Sequence, residues 1–143
     1  LKDLKVGDMP QANLALGLTA SPISDSKIQF LYRYYALHYS NWDPTSREYS
    51  DGDTPDRTNT WKAPSYGVLD INAYYKLPVQ FGDVNPELFL NIRNALDAVY
   101  IQDATDNSRF NAQPFRVNNH QANAAEVYLG LPTSFNLGLK VNF

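Results

Sequence analysis

The 143-residue chain has no cysteine, one methionine, two tryptophans and two histidines, and it has no long run of apolar residues. Without cysteine there is no disulfide framework, no thiolate zinc site and no thiol nucleophile. No window approaches the roughly 18 consecutive apolar residues of a membrane-crossing helix, which excludes a helical membrane protein. Charge of one sign is also scarce, with a formal net charge of −3, so nothing points to a nucleic-acid partner. Helical periodicity is weak throughout. The first residue is Leu1 rather than Met, and no basic stretch followed by an apolar one stands near it. The chain is therefore expected to be a portion of a longer precursor.

What is present is alternation. Leu14, Leu16, Leu18 and Ala20 are separated by small or polar residues. Ile28, Phe30, Tyr32 and Tyr34 follow with Lys27, Gln29, Leu31 and Arg33 between them. Gly67, Leu69, Ile71, Ala73 and Tyr75, then Leu88, Leu90 and Ile92, repeat the pattern. Phe135, Leu137, Leu139, Val141 and Phe143 carry it to the last residue. A period of two predicts half-buried strands, here near 11–21, 27–40, 66–77, 87–100 and 133–143, with a bulge expected at Asn94. Polar, turn-rich stretches at 41–64 and 101–132 read as long loops. The fold class is all-β, an antiparallel meander of about five strands.

The connections alternate short, long, short, long. Transmembrane β-barrels have short periplasmic turns and long outer loops, and their strands of about ten residues leave the mean hydropathy looking soluble. On that pattern the first, third and fifth strands descend, the second and fourth climb, and the chain ends on the periplasmic side. Tyr34, Tyr35, Tyr39 and Trp42 fall at an upper interface and Tyr75 at a lower one, where aromatic girdles lie. Phe30, Leu69, Ile71, Leu90, Leu139 and Val141 fall mid-strand, facing lipid. Gln29, Arg33, Asp70, Asn72, Asn91, Arg93 and Lys140 stand opposite and face a polar lumen. A soluble antiparallel sandwich also alternates, but two such long loops on one end of a meander are uncommon in soluble domains.

The run Asn94-Ala95-Leu96-Asp97-Ala98-Val99-Tyr100 resembles the N-L-x-D-x-x-Y segment late in the barrels of TonB-dependent outer-membrane receptors, with Ala95 in place of the usual Leu. Trp61-Lys62-Ala63-Pro64-Ser65-Tyr66-Gly67 resembles the loop-to-strand entry before it, and Phe135 to Phe143 resembles the terminal strand of that family. The resemblance runs from about Gln11 to Phe143. The wording around Tyr32-Arg33-Tyr34-Tyr35 and Asp43-Pro44-Thr45 is most similar to receptors of the Bacteroidota. The terminal strand is shared by many outer-membrane proteins, whereas the middle segment is more selective.

The resemblance implies a C-terminal part of a barrel of about 22 strands, with the plug domain absent from this chain. It implies uptake of scarce cargo across the bacterial outer membrane, driven by TonB-transmitted energy. The implied partners are the remaining barrel strands and plug, the TonB complex, the barrel assembly machinery, lipid and lipopolysaccharide; no cofactor is implied. Phe135, Leu137, Leu139, Val141 and Phe143 would form the assembly signal. The alternatives left open are another outer-membrane barrel, such as a porin or adhesin, and a soluble β-sandwich binding domain.

Covalent chemistry finds little support. No nucleophile sits in a strained turn signature such as G-x-S-x-G, so no enzyme activity is expected. His38 reads as a girdle residue at a strand end, and His120 as a solvated loop residue. Asp51-Gly52-Asp53 with Asp56 lacks the residue order of a calcium loop, and no metal site is expected. Trp42, Tyr49, Trp61, Phe110 and His120 are the candidate cargo contacts, because loop aromatics can stack on sugars or flat chelates. Arg33, Asp70, Asn72 and Arg93 are expected to line the lumen, chiefly pairing with one another.

Overall fold

The computed structural model describes residues 3–47, 56–79, 82, 84–108 and 120–142. Among these residues seven strands form, in chain order β1 (Pro10–Ala20), β2 (Ser26–His38), β3 (Tyr66–Lys76), β4 (Asn85–Arg93), β5 (Ile101–Asp106), β6 (Ala125–Leu129) and β7 (Ser134–Asn142). Five of them make one antiparallel sheet in the order β1-β2-β3-β4-β7, and β5 and β6 make a second, two-stranded sheet. The expected five-strand meander is present, and its strands coincide closely with the alternating stretches.

Two boundaries differ from expectation. The fourth strand stops at Arg93 instead of continuing to residue 100, because Asn94 and Asp97 both adopt left-handed backbone with φ of 49° and 50°. The break is thus a turn and not a bulge. The stretch 101–132, expected to be loop throughout, contains the β5–β6 pair, in which Ala104 opposes Val127 and Thr105 opposes Glu126. Both strands are short; β5 is largely polar, whereas β6 carries Val127, Tyr128 and Leu129, all exposed. Within 41–64 a 3-10 turn spans Pro44–Arg47.

The register aligns the side chains into two faces. Ile92 lies opposite Ile71 on one side and Phe135 on the other, Leu90 opposite Ala73 and Leu137, and Leu88 opposite Tyr75 and Leu139. Successive residues on a strand point to opposite faces, so this face is apolar across three strands. The other face carries Asn72 opposite Asn91 and Asn91 opposite Asn136, with Glu87 between Lys76 and Lys140. The pattern extends to β1 and β2. Gln29 donates to the Thr19 hydroxyl at 3.4 Å on the polar side, which leaves Leu14, Leu16 and Leu18 on the apolar side.

The contacts divide the chain into two units, one of 14–34, 67–98 and 131–143, the other of 1–13, 35–66 and 99–130. In the first, Gly138 lies beneath Phe89, where an added Cβ would overlap the ring. In the second, the Tyr66 ring stacks on Tyr100 at 4.4 Å and meets Tyr35 at 5.1 Å. Tyr100 in turn covers Gly130, leaving no room there for a Cβ.

Candidate functional site

Burial in this chain is inverted relative to an ordinary globular domain. The buried hydrophobic residues among those described are Ala63, Val68, Ala104 and Ala124, whereas the largest fully buried side chains are Arg47, Asp70, Ser40 and Ser108. Exposed instead are Leu14, Leu16, Leu18, Leu88, Phe135, Leu137, Leu139 and Val141, with Phe135 77% and Leu137 65% accessible. These residues share the apolar face of the five-stranded sheet. Single exposed leucines are normal, but a contiguous apolar face marks a surface that meets something other than water. Of the expected assembly-signal residues, Phe143 lies outside the described set, as do the loop candidates Tyr49 and Phe110.

The polar face is organised around Asp70. Its carboxylate, 2% exposed, accepts from Arg33 and, at 3.1 Å, from Arg93. A third donor is the backbone N–H of Asn94 at 3.1 Å. Three lumen-side candidates thus meet as a pairing hub, with charge-assisted hydrogen bonds satisfying a carboxylate that burial would otherwise penalise. Asn72 stands one position along β3 from this hub on the same face, in the asparagine row shared with Asn91 and Asn136.

The segment that resembles the receptor motif has a mechanical role. The Asn94 side chain accepts from the Ala98 N–H at 3.0 Å and donates to the Ala98 carbonyl at 2.9 Å and the Leu131 carbonyl at 3.2 Å. Asp97 accepts from the backbone N–H of Thr133 at 3.1 Å, and the Thr133 hydroxyl lies 2.6 Å from the Asn94 carbonyl. Asn tolerates left-handed backbone better than most residues, and its amide replaces the ladder bonds lost where β4 ends. The motif therefore fastens the end of β4 to the entry of β7. Leu96, 62% exposed, takes no part in these bonds.

Asn94→Ala is expected to lower stability by about 3 kcal/mol, from three lost hydrogen bonds and a strained αL position. Asn94→Gly should recover about 1 kcal/mol of that, since glycine adopts the backbone freely. Urea unfolding midpoints of the two variants check the difference.

The loop candidates occupy unexpected places. Trp42 donates its indole N–H to the Lys5 carbonyl at 3.0 Å and carries the Arg47 guanidinium 5.3 Å above its ring, a cation–π contact. Trp61 is half-buried, and its carbonyl accepts from both the backbone N–H and the hydroxyl of Ser40. His38, expected at an exposed strand end, is instead buried, and among the described residues neither ring nitrogen has a hydrogen-bond partner.

His120 is 6% exposed, which overturns its reading as a solvated loop residue. Its Nδ1 lies 2.6 Å from Asp106 Oδ2 and its Nε2 2.7 Å from Asp56 Oδ2. Arg47 reaches the same carboxylates at 3.6 and 3.9 Å and also donates to the Thr58 carbonyl. Burial pushes the Arg47 guanidinium below its ordinary pKa, against the opposing pull of Asp56 and Asp106.

Ser108 Oγ lies 3.1 Å from His120 Nδ1, a connectivity that superficially matches a Ser-His-Asp set. Asp106 sits closer to the same nitrogen, and Ser108 is only 2% exposed. Among the described residues no group of three or more His, Asp or Glu is placed to hold a metal ion, because the two carboxylates approach His120 from opposite ends of its ring. No helix among the described residues is long and apolar enough to cross a membrane. No protein-family model, curated protein or solved structure matches the chain.

Proposed function

We propose that this chain forms wall strands of an outer-membrane β-barrel of the TonB-dependent receptor type, serving energised uptake of cargo. The observation that carries the reading is the exposed apolar face of β1, β4 and β7, set against a polar face centred on the buried Asp70 and its partners Arg33 and Arg93. In water such a face is unfavourable. In lipid it is required, because the acyl chains cover it while polar groups turn inward. The five sheet strands hold 9 to 13 residues, a length that matches a tilted crossing of about 9–11 residues.

Among the described residues β1 and β7 each have a single hydrogen-bonded neighbouring strand. Five strands fall short of the roughly eight that the smallest barrels use, and an unpaired edge in lipid costs several kcal/mol per group. In this reading, further strands pair with both edges. The receptor type, rather than a porin or adhesin, rests on the motif from Asn94 to Tyr100 and on the terminal strand. The long connections would lie outside the cell, and wall, loops and plug would supply shape and contacts without covalent chemistry on the cargo.

The 143-residue chain is expected to acquire its sheet in detergent micelles or lipid and to aggregate without them. Circular dichroism with size-exclusion chromatography, with and without detergent, tests this. A folded monomer in plain buffer would defeat the reading.

A further inference from the structure

The polar face of β3, β4 and β7 is laid out in rows. Asn72, Asn91 and Asn136 stand side by side, with Arg93 and Ser134 in the row on one side and Tyr74, Phe89 and Gly138 in the row on the other. With strands about 4.8 Å apart, the three asparagines span roughly 10 Å. Over them lies a cleft of about 360 Å³ whose polar lining is Asn72, Tyr74, Asn91, Arg93, Ser134 and Asn136, a size in the range of small-molecule sites.

Asparagine elsewhere in this chain serves the fold. Asn41 accepts from the Trp42 N–H, Asn59 accepts from the Lys5 N–H, Asn94 fastens β4 to β7, and Asn107 donates to Glu126. The side-chain amides of Asn72, Asn91 and Asn136 have no such partner among the described residues. Each carries one acceptor oxygen and two N–H donors, so the row offers donors and acceptors together at strand spacing. A hydroxyl both donates and accepts, and a chain or ring of hydroxyls answers such a row.

Arg93 sets the charge that the cleft prefers. Asp70 is shared by two guanidinium groups and can neutralise only one of them. Arg93 is 63% exposed and spends one of its five N–H donors on Asp70. Among the described residues no acid lines the cleft. Asp97 is engaged by the N–H and hydroxyl of Thr133, and Glu87 stands at the far end of β4 between Lys76 and Lys140. A planar guanidinium with a free edge matches a carboxylate.

We propose that this cleft binds a hydroxylated carboxylic acid, its carboxylate on Arg93 beside Ser134 and its hydroxyls on the asparagine row. Tyr74, across the row from Arg93, gives the carbon skeleton an aromatic edge. Every residue of the cleft belongs to one compact unit, so the site stands whether or not the opposite face meets lipid. If the chain is a receptor wall, the cleft faces the lumen and the acid is cargo.

The test titrates the full chain, isotope-labelled, in whichever medium holds it folded, micelles or plain buffer, so that failure of the membrane reading leaves it standing. Nuclear magnetic resonance reads the side-chain N–H signals of Arg93, Asn72, Asn91 and Asn136. The probes are glucuronate, glucose, which has the hydroxyls without the carboxylate, and inorganic phosphate, which has charge without the skeleton. Saturable shifts at all four side chains with glucuronate, at least tenfold tighter than with either other probe, support the site. Arg93→Gln should weaken glucuronate at least tenfold, and Asn91→Asp, the same shape with a negative charge, should do likewise while changing glucose little. No saturable shift with glucuronate, equal affinity for glucose or phosphate, or undiminished affinity in Arg93→Gln overturns the proposal. The comparison of probes on the wild-type chain decides the matter even if a variant fails to fold.

Discussion

Leu137→Arg is expected to reduce the stability of the sheet in a bilayer by about 2–4 kcal/mol, the range for a cation on the lipid face near the midplane. That corresponds to a roughly thirty-fold or greater loss in the folded-to-unfolded ratio at the lower end. Leu137 lies mid-strand in β7 and opposite Leu90 of β4, so its side chain stands in the middle of the apolar face. Asn136→Arg, one residue away on the polar face, should change stability by less than about 0.5 kcal/mol. The contrast separates the two environments. If the face met water, placing a cation at a leucine already 65% exposed would be neutral or favourable. Urea titrations in lipid vesicles, following tryptophan emission of both variants, give the comparison, and equal stability of the two would remove the lipid assignment.

Much of this arrangement is legible in the residues themselves, because a strand with one dry face has to alternate. β1, β2, β3 and β7 lie within about two residues of their alternating stretches, and the facing of Leu88, Leu90 and Ile92 follows from counting in twos. β4 was harder to delimit. The apolar residues Leu96, Ala98 and Tyr100 continue the period beyond Arg93, and only the side-chain hydrogen bonding of Asn94 and the left-handed turns at Asn94 and Asp97 end the strand. The β5–β6 pair gave almost no sign of itself. Its strands are six and five residues long and separated by a long stretch; β5 mixes Ile and Ala with Asp, Gln and Thr and shows no apolar face, and Ala125, Val127 and Leu129 of β6 alternate over too few residues to stand out.

The candidate residues divide the same way. Arg33, Asp70 and Arg93 could be placed on one face by alternation, and the structure joins them. The His120 cluster could not be found, because the chemistry that buries a histidine in Asn118-Asn119-His120-Gln121 sits on Arg47, Asp56 and Asp106. A lone histidine in a polar run carries no local mark of partners so distant. Trp42 and Trp61 stand out in the sequence as loop aromatics, but the hydrogen bond of one to Lys5 and the backbone contact of the other with Ser40 depend on tertiary placement.

Asp70→Leu is the substitution expected to damage the polar face most, lowering stability by about 3 kcal/mol. Removing one partner of a buried ion pair costs about 3–5 kcal/mol, and the Asn94 N–H would lose its charged acceptor as well. The upper part of that range is discounted because Arg93 is 63% exposed and can turn to solvent, where its pairing is worth little. Arg33 cannot escape so easily. Its side chain is 35% exposed, but its Nε is already buried with no partner among the described residues, so loss of Asp70 strands the guanidinium. The double substitution Arg33→Leu with Asp70→Leu should therefore recover most of the loss, since an apolar pair replaces an ion pair at little cost. Arg93→Leu with Asp70→Leu should recover far less. Unfolding midpoints of the three variants in one detergent measure the coupling, and equal recovery in both doubles would show that Asp70 holds the two arginines alike, contrary to the geometry of the hub.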